Sequence, residues 1–224
     1  MFQDIDRRTK VKICGITNLE DARFAAGAMA DYIGFIFYDK SERYIEPAKA
    51  GAIINWLGGL ETVAVFVNSA LDDVNRIVTE TGVNLVQLHG KESPEYCRMI
   101  DKPVVKAIHI RSGVAGEELQ SEIDSYEDVV EYYLFDTKVP GKWGGSGEVF
   151  NWDIISELEV NKPFFLSGGL KSSNINSAVA SVNPYAVDLS SGVEKAPGLK
   201  DFDKIENFFD EMRTVWEKQE MGDL

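Results

Sequence analysis

Apolar residues recur along this chain in eight short runs, at residues 11–16, 32–37, 62–67, 85–88, 104–110, 132–135, 164–166 and 186–189. Nearly every position within a run is apolar, with little alternation, as in strands buried on both faces of a parallel sheet. Between the runs, apolar residues fall at helical spacing over residues 19–28, 48–57, 71–81, 95–100, 152–158 and 173–182, and a last such stretch covers 202–216. Asn18, Ser69 and Ser93 precede three of these stretches and are expected to cap them, with Pro94 suited to a first helical position. One interval is weaker: Gly113 and Gly116 interrupt residues 112–131 and acids dominate there, so the fifth helix is expected to be short or irregular.

Strict alternation of strand and helix implies crossovers of one hand and a parallel sheet, and eight repeats in 224 residues match a closed (β/α)8 TIM barrel. The alternative is an open doubly wound sheet. That architecture usually has fewer strands and opens on a dinucleotide-binding glycine turn, which the later Gly144-Gly145-Ser146-Gly147 does not match. No linker composition divides the chain. The expected organisation is an N-terminal extension over residues 1–10, one barrel over 11–217 and a tail over 218–224.

Charge then narrows the partners. The formal net charge is −14, which disfavours nucleic acid and anionic membrane, since both require a basic face. An anionic ligand would need local attraction, for which Lys12, Arg43, Lys106 and Lys138 are the candidates, each within or just beyond an apolar run. Two cysteines, Cys14 and Cys97, are too few for a disulfide framework and have no metal-ligand spacing. A reducing cytoplasm is the simplest expectation. The polar first ten residues do not resemble a signal peptide, and no apolar stretch approaches the ~20 residues of a membrane span.

In a barrel the chemistry lies where the strands end. The last two runs close in Ser167-Gly168-Gly169 and Ser190-Ser191-Gly192, small residues whose backbone N–H groups suit a phosphate cradle. A phosphorylated small molecule is therefore the expected ligand. Cys14 reads as a buried small hydrophobe or as a reactive thiol beside Gly15 and two residues beyond Lys12. Asp136 directly follows a buried run, where desolvation raises a carboxyl toward the range of a general acid; a loop-tethering aspartate would occupy the same position. His89 and His109 have no metal-ligand spacing and read as packed or substrate-contacting. Asp188 reads as orienting a ligand or as paired inside the barrel, and Gly144-Gly145-Ser146-Gly147 as a lid or a surface turn.

Seven blocks in order, however, have a family pattern. They are Lys12-Ile13-Cys14-Gly15-Ile16-Thr17; Gly34-Phe35-Ile36-Phe37-Tyr38 with Ser41-Glu42-Arg43-Tyr44; Val86-Gln87-Leu88-His89-Gly90; Phe135-Asp136-Thr137; Gly144-Gly145-Ser146-Gly147 with Phe150-Asn151-Trp152; Leu166-Ser167-Gly168-Gly169-Leu170; and Val187-Asp188-Leu189-Ser190-Ser191-Gly192-Val193-Glu194. Together they resemble the phosphoribosylanthranilate isomerases. The resemblance implies a cofactor-free, metal-free Amadori rearrangement of N-(5-phospho-β-D-ribosyl)anthranilate in tryptophan biosynthesis; the sequence leaves monomer and homodimer both open. It implies Asp136 as general acid, Cys14 as general base and Arg43 on the anthranilate carboxylate. Gln87, His89, Gly145 and Asp188 would join the substrate site, and Gly168, Gly169, Ser190, Ser191 and Gly192 would hold the phosphate. Trp143 departs from the family, which more often has a smaller aromatic or histidine there, and residues 138–142 match no family pattern. Lid closure is what these departures affect.

Two rivals remain. An indole-glycerol-phosphate synthase would use a catalytic lysine, for which Lys12 and Lys106 are available, but leaves Cys14 and Asp136 unexplained. A non-catalytic sugar-phosphate binder on the same scaffold predicts the loss of an acid or a base, and both are present.

Overall fold

The computed structural model describes residues 8–110, 116–136 and 152–222. Eight parallel strands close into a barrel in chain order: β1 (Lys10–Cys14), β2 (Tyr32–Ile36), β3 (Glu61–Phe66), β4 (Leu85–Leu88), β5 (Val104–His109), β6 (Tyr132–Asp136), β7 (Phe164–Ser167) and β8 (Ala186–Leu189). β8 pairs back to β1, aligning Lys12 with Asp188. The helices are α1 (Leu19–Gly27), α2 (Pro47–Trp56), α3 (Leu71–Thr81), α4 (Pro94–Arg98), α5 (Gly116–Tyr126), α6 (Asp153–Ser156), α7 (Ile175–Val182) and α8 (Phe202–Met221).

Two apolar layers explain the nearly unbroken apolar strands. One face of each strand packs outward against the helices, through residues such as Ile13, Phe35, Phe66 and Phe135. The other face fills the barrel with Tyr32, Val63, Leu85, Val105, Ala107, Leu134, Phe165 and Ala186. Successive side chains alternate between faces, so one interior residue on a strand fixes the direction of all the others.

Several sequence expectations change. α5 is a regular helix of 11 residues, with Leu119, Ile123 and Tyr126 buried on one stripe; Gly116 stands at its first residue, where the entropic cost of glycine matters least. Asn18 and Ser93 cap α1 and α4 through side-chain bonds, but α3 is entered through Ala70, with no side-chain cap. Asp72 and Asp73 meet its N-terminal dipole instead, while the carbonyl of Ser69 accepts from the Tyr96 hydroxyl. α6 is shorter than expected. β1 begins at Lys10, and α8 runs to Met221, so residues 218–221 are helix rather than tail. A 3-10 turn (Ser191–Val193) and a small antiparallel pair, β9 (Glu194–Ala196) and β10 (Leu199–Lys200), were not expected.

Candidate active site

The polar residues on interior positions collect at the C-terminal end of the barrel. A cavity of about 350 Å³ opens there, lined by Cys14, Arg43, Gln87, His89, Asp136, Gly168, Gly169, Asp188, Ser190, Ser191 and Gly192. These are the expected site residues except Gly145, which lies outside the described residues together with Lys138, Trp143 and the other glycines of its loop.

Cys14 ends β1 and is almost wholly buried, next to Gly34 on β2. A Cβ on Gly34 would lie 2.7 Å from the Cys14 sulfur, so glycine there leaves room for the thiol. Burial pushes the thiol above its usual range, and Asp188 adds to this; the ammonium groups of Lys12 and Lys200 pull the other way.

Lys12 itself was expected to attract an anion directly. Instead it is buried inside the barrel, donating to Gln87 at 2.6 Å and to Asp188 at 3.0 Å. Burial disfavours its charge, but Asp188 and Cys14 outweigh that effect and raise its pKa. Lys106 does not face the mouth either. It lies between the interior residues Val105 and Ala107, so it points outward, where it reaches Glu92 at 3.0 Å and the carbonyl of Gly90 at 2.7 Å. A charged group without water needs such partners, which is why neither lysine is available to a ligand.

Asp136 ends β6 between two imidazoles. Nε2 of His89 lies 3.4 Å and Nδ1 of His109 3.6 Å from its Oδ2. Gln87 contacts Nδ1 of His89 at 3.1 Å, and Nε2 of His109 contacts the His89 carbonyl at 3.0 Å. The Asp136 carboxylate beside it is the largest influence on His109 and raises its pKa against the cost of burial. His89, His109 and Asp136 also bring three ligand atoms within 4.8 Å of one another. The Gln87 oxygen is held by Lys12, so the amide turns its NH2 to Nδ1 of His89. A neutral His89 then carries its proton on Nε2, and a protonated nitrogen is no metal ligand. The trio reads as two imidazoles gathered at ion-pair distance around one carboxylate oxygen.

Across the mouth, Gly168 and Gly169 have φ of +96° and +68°, a left-handed pair that turns the chain after β7. The Ser190 hydroxyl is buried without a hydrogen-bond partner among the described residues, as is Oδ1 of Asp188. Buried polar atoms with unused capacity, facing a cavity, suit a polar ligand. Gly192 packs against the Leu170 carbonyl, leaving no space for a Cβ.

Arg43 enters the cavity from the loop after β2. Its Nε and Nη2 grip Glu194 as a fork, at 2.9 and 2.6 Å, which fixes the guanidinium plane. Glu194 also binds Lys200 at 2.8 Å, and Lys200 donates to the Cys14 carbonyl at 2.6 Å.

The sequence matches the family model of N-(5'-phosphoribosyl)anthranilate (PRA) isomerase over residues 11–211. The chain belongs to this family. A PRA isomerase of Citrifermentans bemidjiense is 46% identical over 208 residues, covering 92% of this chain and 98% of the relative. The crystal structure of phosphoribosyl anthranilate isomerase from Thermotoga maritima superposes with a TM-score of 0.81 at 41% identity, covering 92% of this chain and 99% of that one. A further PRA isomerase structure, 37% identical with a TM-score of 0.78, holds reduced 1-(o-carboxyphenylamino)-1-deoxyribulose 5-phosphate and covers 92% of this chain and 99% of its own.

Sequence reading missed two members of this PRA isomerase's site. Lys200 follows the last barrel strand by 11 positions and ends no apolar run, so nothing in its spacing pointed inward. Glu194 stood in a quoted block without a role. Sequence alone marks His109 as packed or substrate-contacting, and its position against Asp136 appears only when β5 and β6 align.

Proposed function

We propose that this chain isomerises N-(5-phospho-β-D-ribosyl)anthranilate to 1-(2-carboxyphenylamino)-1-deoxy-D-ribulose 5-phosphate, with Asp136 as acid and Cys14 as base. The observation that carries the roles is that both groups line one cavity, three strands apart around the barrel, with the glycine and serine cradle between them on β7 and β8. Asp136 gives a proton to the ring oxygen as the C1′–O bond breaks and the anilino nitrogen forms an iminium. Cys14 takes the C2′ proton, and the bonding pair passes into the C1′–C2′ bond as the iminium is neutralised. The resulting enolamine moves its hydroxyl proton to C1′ and becomes the ketone. Two electrons shift within the sugar, so the step needs no external oxidant or reductant.

A raised thiol pKa makes a strong base that is sparse in its anionic form. The iminium helps at the required moment, because its positive charge acidifies the C2′ hydrogen. Backbone N–H groups around Gly168, Gly169, Ser191 and Gly192, with the Ser190 hydroxyl, would hold the phosphate. Arg43, braced by Glu194, would meet the anthranilate carboxylate, and Oδ1 of Asp188 a sugar hydroxyl, with Gln87 and His89 lining the reacting end.

The test is to give purified protein freshly made phosphoribosylanthranilate and follow its fluorescence with EDTA present and no cofactor. The signal should decay at a rate proportional to enzyme, and Cys14→Ser and Asp136→Asn should each slow turnover by about 10²-fold or more. No decay overturns the activity; near-parental turnover in either variant removes that residue from its role.

A further inference from the structure

Asp136 faces two histidines whose outer hydrogen bonds dictate opposite behaviour. Lys12 donates to the Gln87 oxygen, Gln87 donates its amide N–H to Nδ1 of His89, and neutral His89 therefore presents Nε2–H to Asp136. His109 is reversed. Its Nε2 lies 3.0 Å from the His89 carbonyl, which only accepts, so Nε2 bears a hydrogen and neutral His109 presents a bare Nδ1 lone pair toward Oδ2 of Asp136. A lone pair facing a carboxylate repels it. The contact becomes attractive when one proton lies between the two groups, on the aspartic acid or on the imidazole.

We infer that His109 and Asp136 share one exchangeable proton, so that His109 relays from water the proton with which the acid is recharged between turnovers. This rests on the reading of Asp136 as the acid. Once Asp136 has protonated the ring oxygen it is a carboxylate. The shared proton is then spent, so the neutral His109 takes a new one on Nδ1 from water at the mouth, where a third of its side chain is exposed, and passes it to Oδ2, restoring the acid. The proton that Cys14 removed from C2′ leaves to water, so the cycle closes with no net gain or loss. The groups that face His109 among the described residues include Asp136 from β6, the carbonyl and the imidazole of His89 just after β4, the two rings 4.8 Å apart, and Lys106 from β5. Lys106 and burial oppose the imidazolium, and Asp136 prevails.

The experiment measures kcat/KM from about pH 5 to pH 9 for the parent, His109→Asn and Asp136→Asn. Without the His109 lone pair the shared proton has no second site, so the pair holds less of it as pH rises. The ratio of His109→Asn to parent should therefore stay within about threefold near pH 5 and fall by about tenfold or more near pH 8, since one pKa unit is one decade of protonated acid. A constant ratio across the range means a structural role and overturns the inference. Substantial activity in Asp136→Asn overturns the acid assignment, and the shared proton with it. A second readout needs no turnover: the His109 imidazole ¹⁵N signals of the parent should titrate at higher pH than those of Asp136→Asn. Coincident titrations overturn the inference even where Asp136→Asn is inactive.

Discussion

Lys12 shows what a single buried charge controls. It holds Asp188 and orients Gln87, and through Gln87 it sets which nitrogen His89 turns to Asp136. Lys12→Met would leave the Asp188 carboxylate in the barrel without a counter-charge, at a cost of about 3–5 kcal/mol, read as a lower urea midpoint. The pH dependence has a definite sign. The folded pKa of Lys12 is raised, so its contribution is fully present below the unfolded lysine value and is lost as pH rises through the folded one. The stability gap between parent and Lys12→Met should stay constant through neutral pH and narrow only in strongly alkaline urea titrations. Residues of this kind were partly legible in sequence: a polar side chain within or just after an apolar run stands out, as Lys12, Cys14, Asp136 and Asp188 did. Direction was not legible. Lys12 and Lys106 look alike as lysines inside apolar runs, yet one faces the barrel interior and the other the helices, because a shift of one position reverses a strand side chain.

At the scale of elements, the segment after β8 ties substrate binding to the frame of the barrel. The 3-10 turn carries the cradle residues Ser191 and Gly192, β9 supplies Glu194, and β10 supplies Lys200. Burial alone would raise the Glu194 pKa, but Arg43 and Lys200 overcome it, and the carboxyl is held below its usual range. A depressed carboxyl contributes stability above its unfolded pKa and loses it as pH falls through the folded value. Glu194→Gln should therefore flatten the acid limb of a stability–pH curve measured by urea titration. It should also raise KM by about tenfold with a smaller change in kcat, because Arg43 loses its brace while the acid and base stay in place. Gly192→Ala should raise KM as well, since a methyl group would drive the loops after β7 and β8 apart; steady-state kinetics at varied substrate would detect it. The eight barrel strands were legible because each carries at least four mostly apolar positions. Strands of three and two residues, such as β9 and β10, have too few positions for any period, and their pairing depends on the turn at Gly198, whose φ is +74°.

Across the whole molecule, closure and chemistry occupy opposite ends of the barrel. Pairing of β1 with β8 closes the sheet, and α8 locks the entry to β1: Trp216 donates to the Thr9 carbonyl at 2.8 Å, Gln219 accepts from the Thr9 amide at 2.9 Å, and Arg8 lies 4.6 Å over the Trp216 ring. Thr9 precedes the N-terminal end of β1, whereas Cys14 is at its C-terminal end, so a lesion at Trp216 is a lesion of stability. Trp216→Ala should cost about 3–5 kcal/mol, through lost packing against Phe209 and an orphaned Thr9 carbonyl, and should lower the urea midpoint with little change in slope. Where both proteins remain folded, its kcat should stay within about twofold of the parent. Cys14→Ser should do the reverse, with turnover lost and the midpoint nearly unchanged. Sites this far apart with no shared partner are expected to add. The double variant should accordingly combine the midpoint of one with the turnover of the other. A double variant that departs from additivity by more than about 0.5 kcal/mol would show that the two ends of the barrel are mechanically coupled.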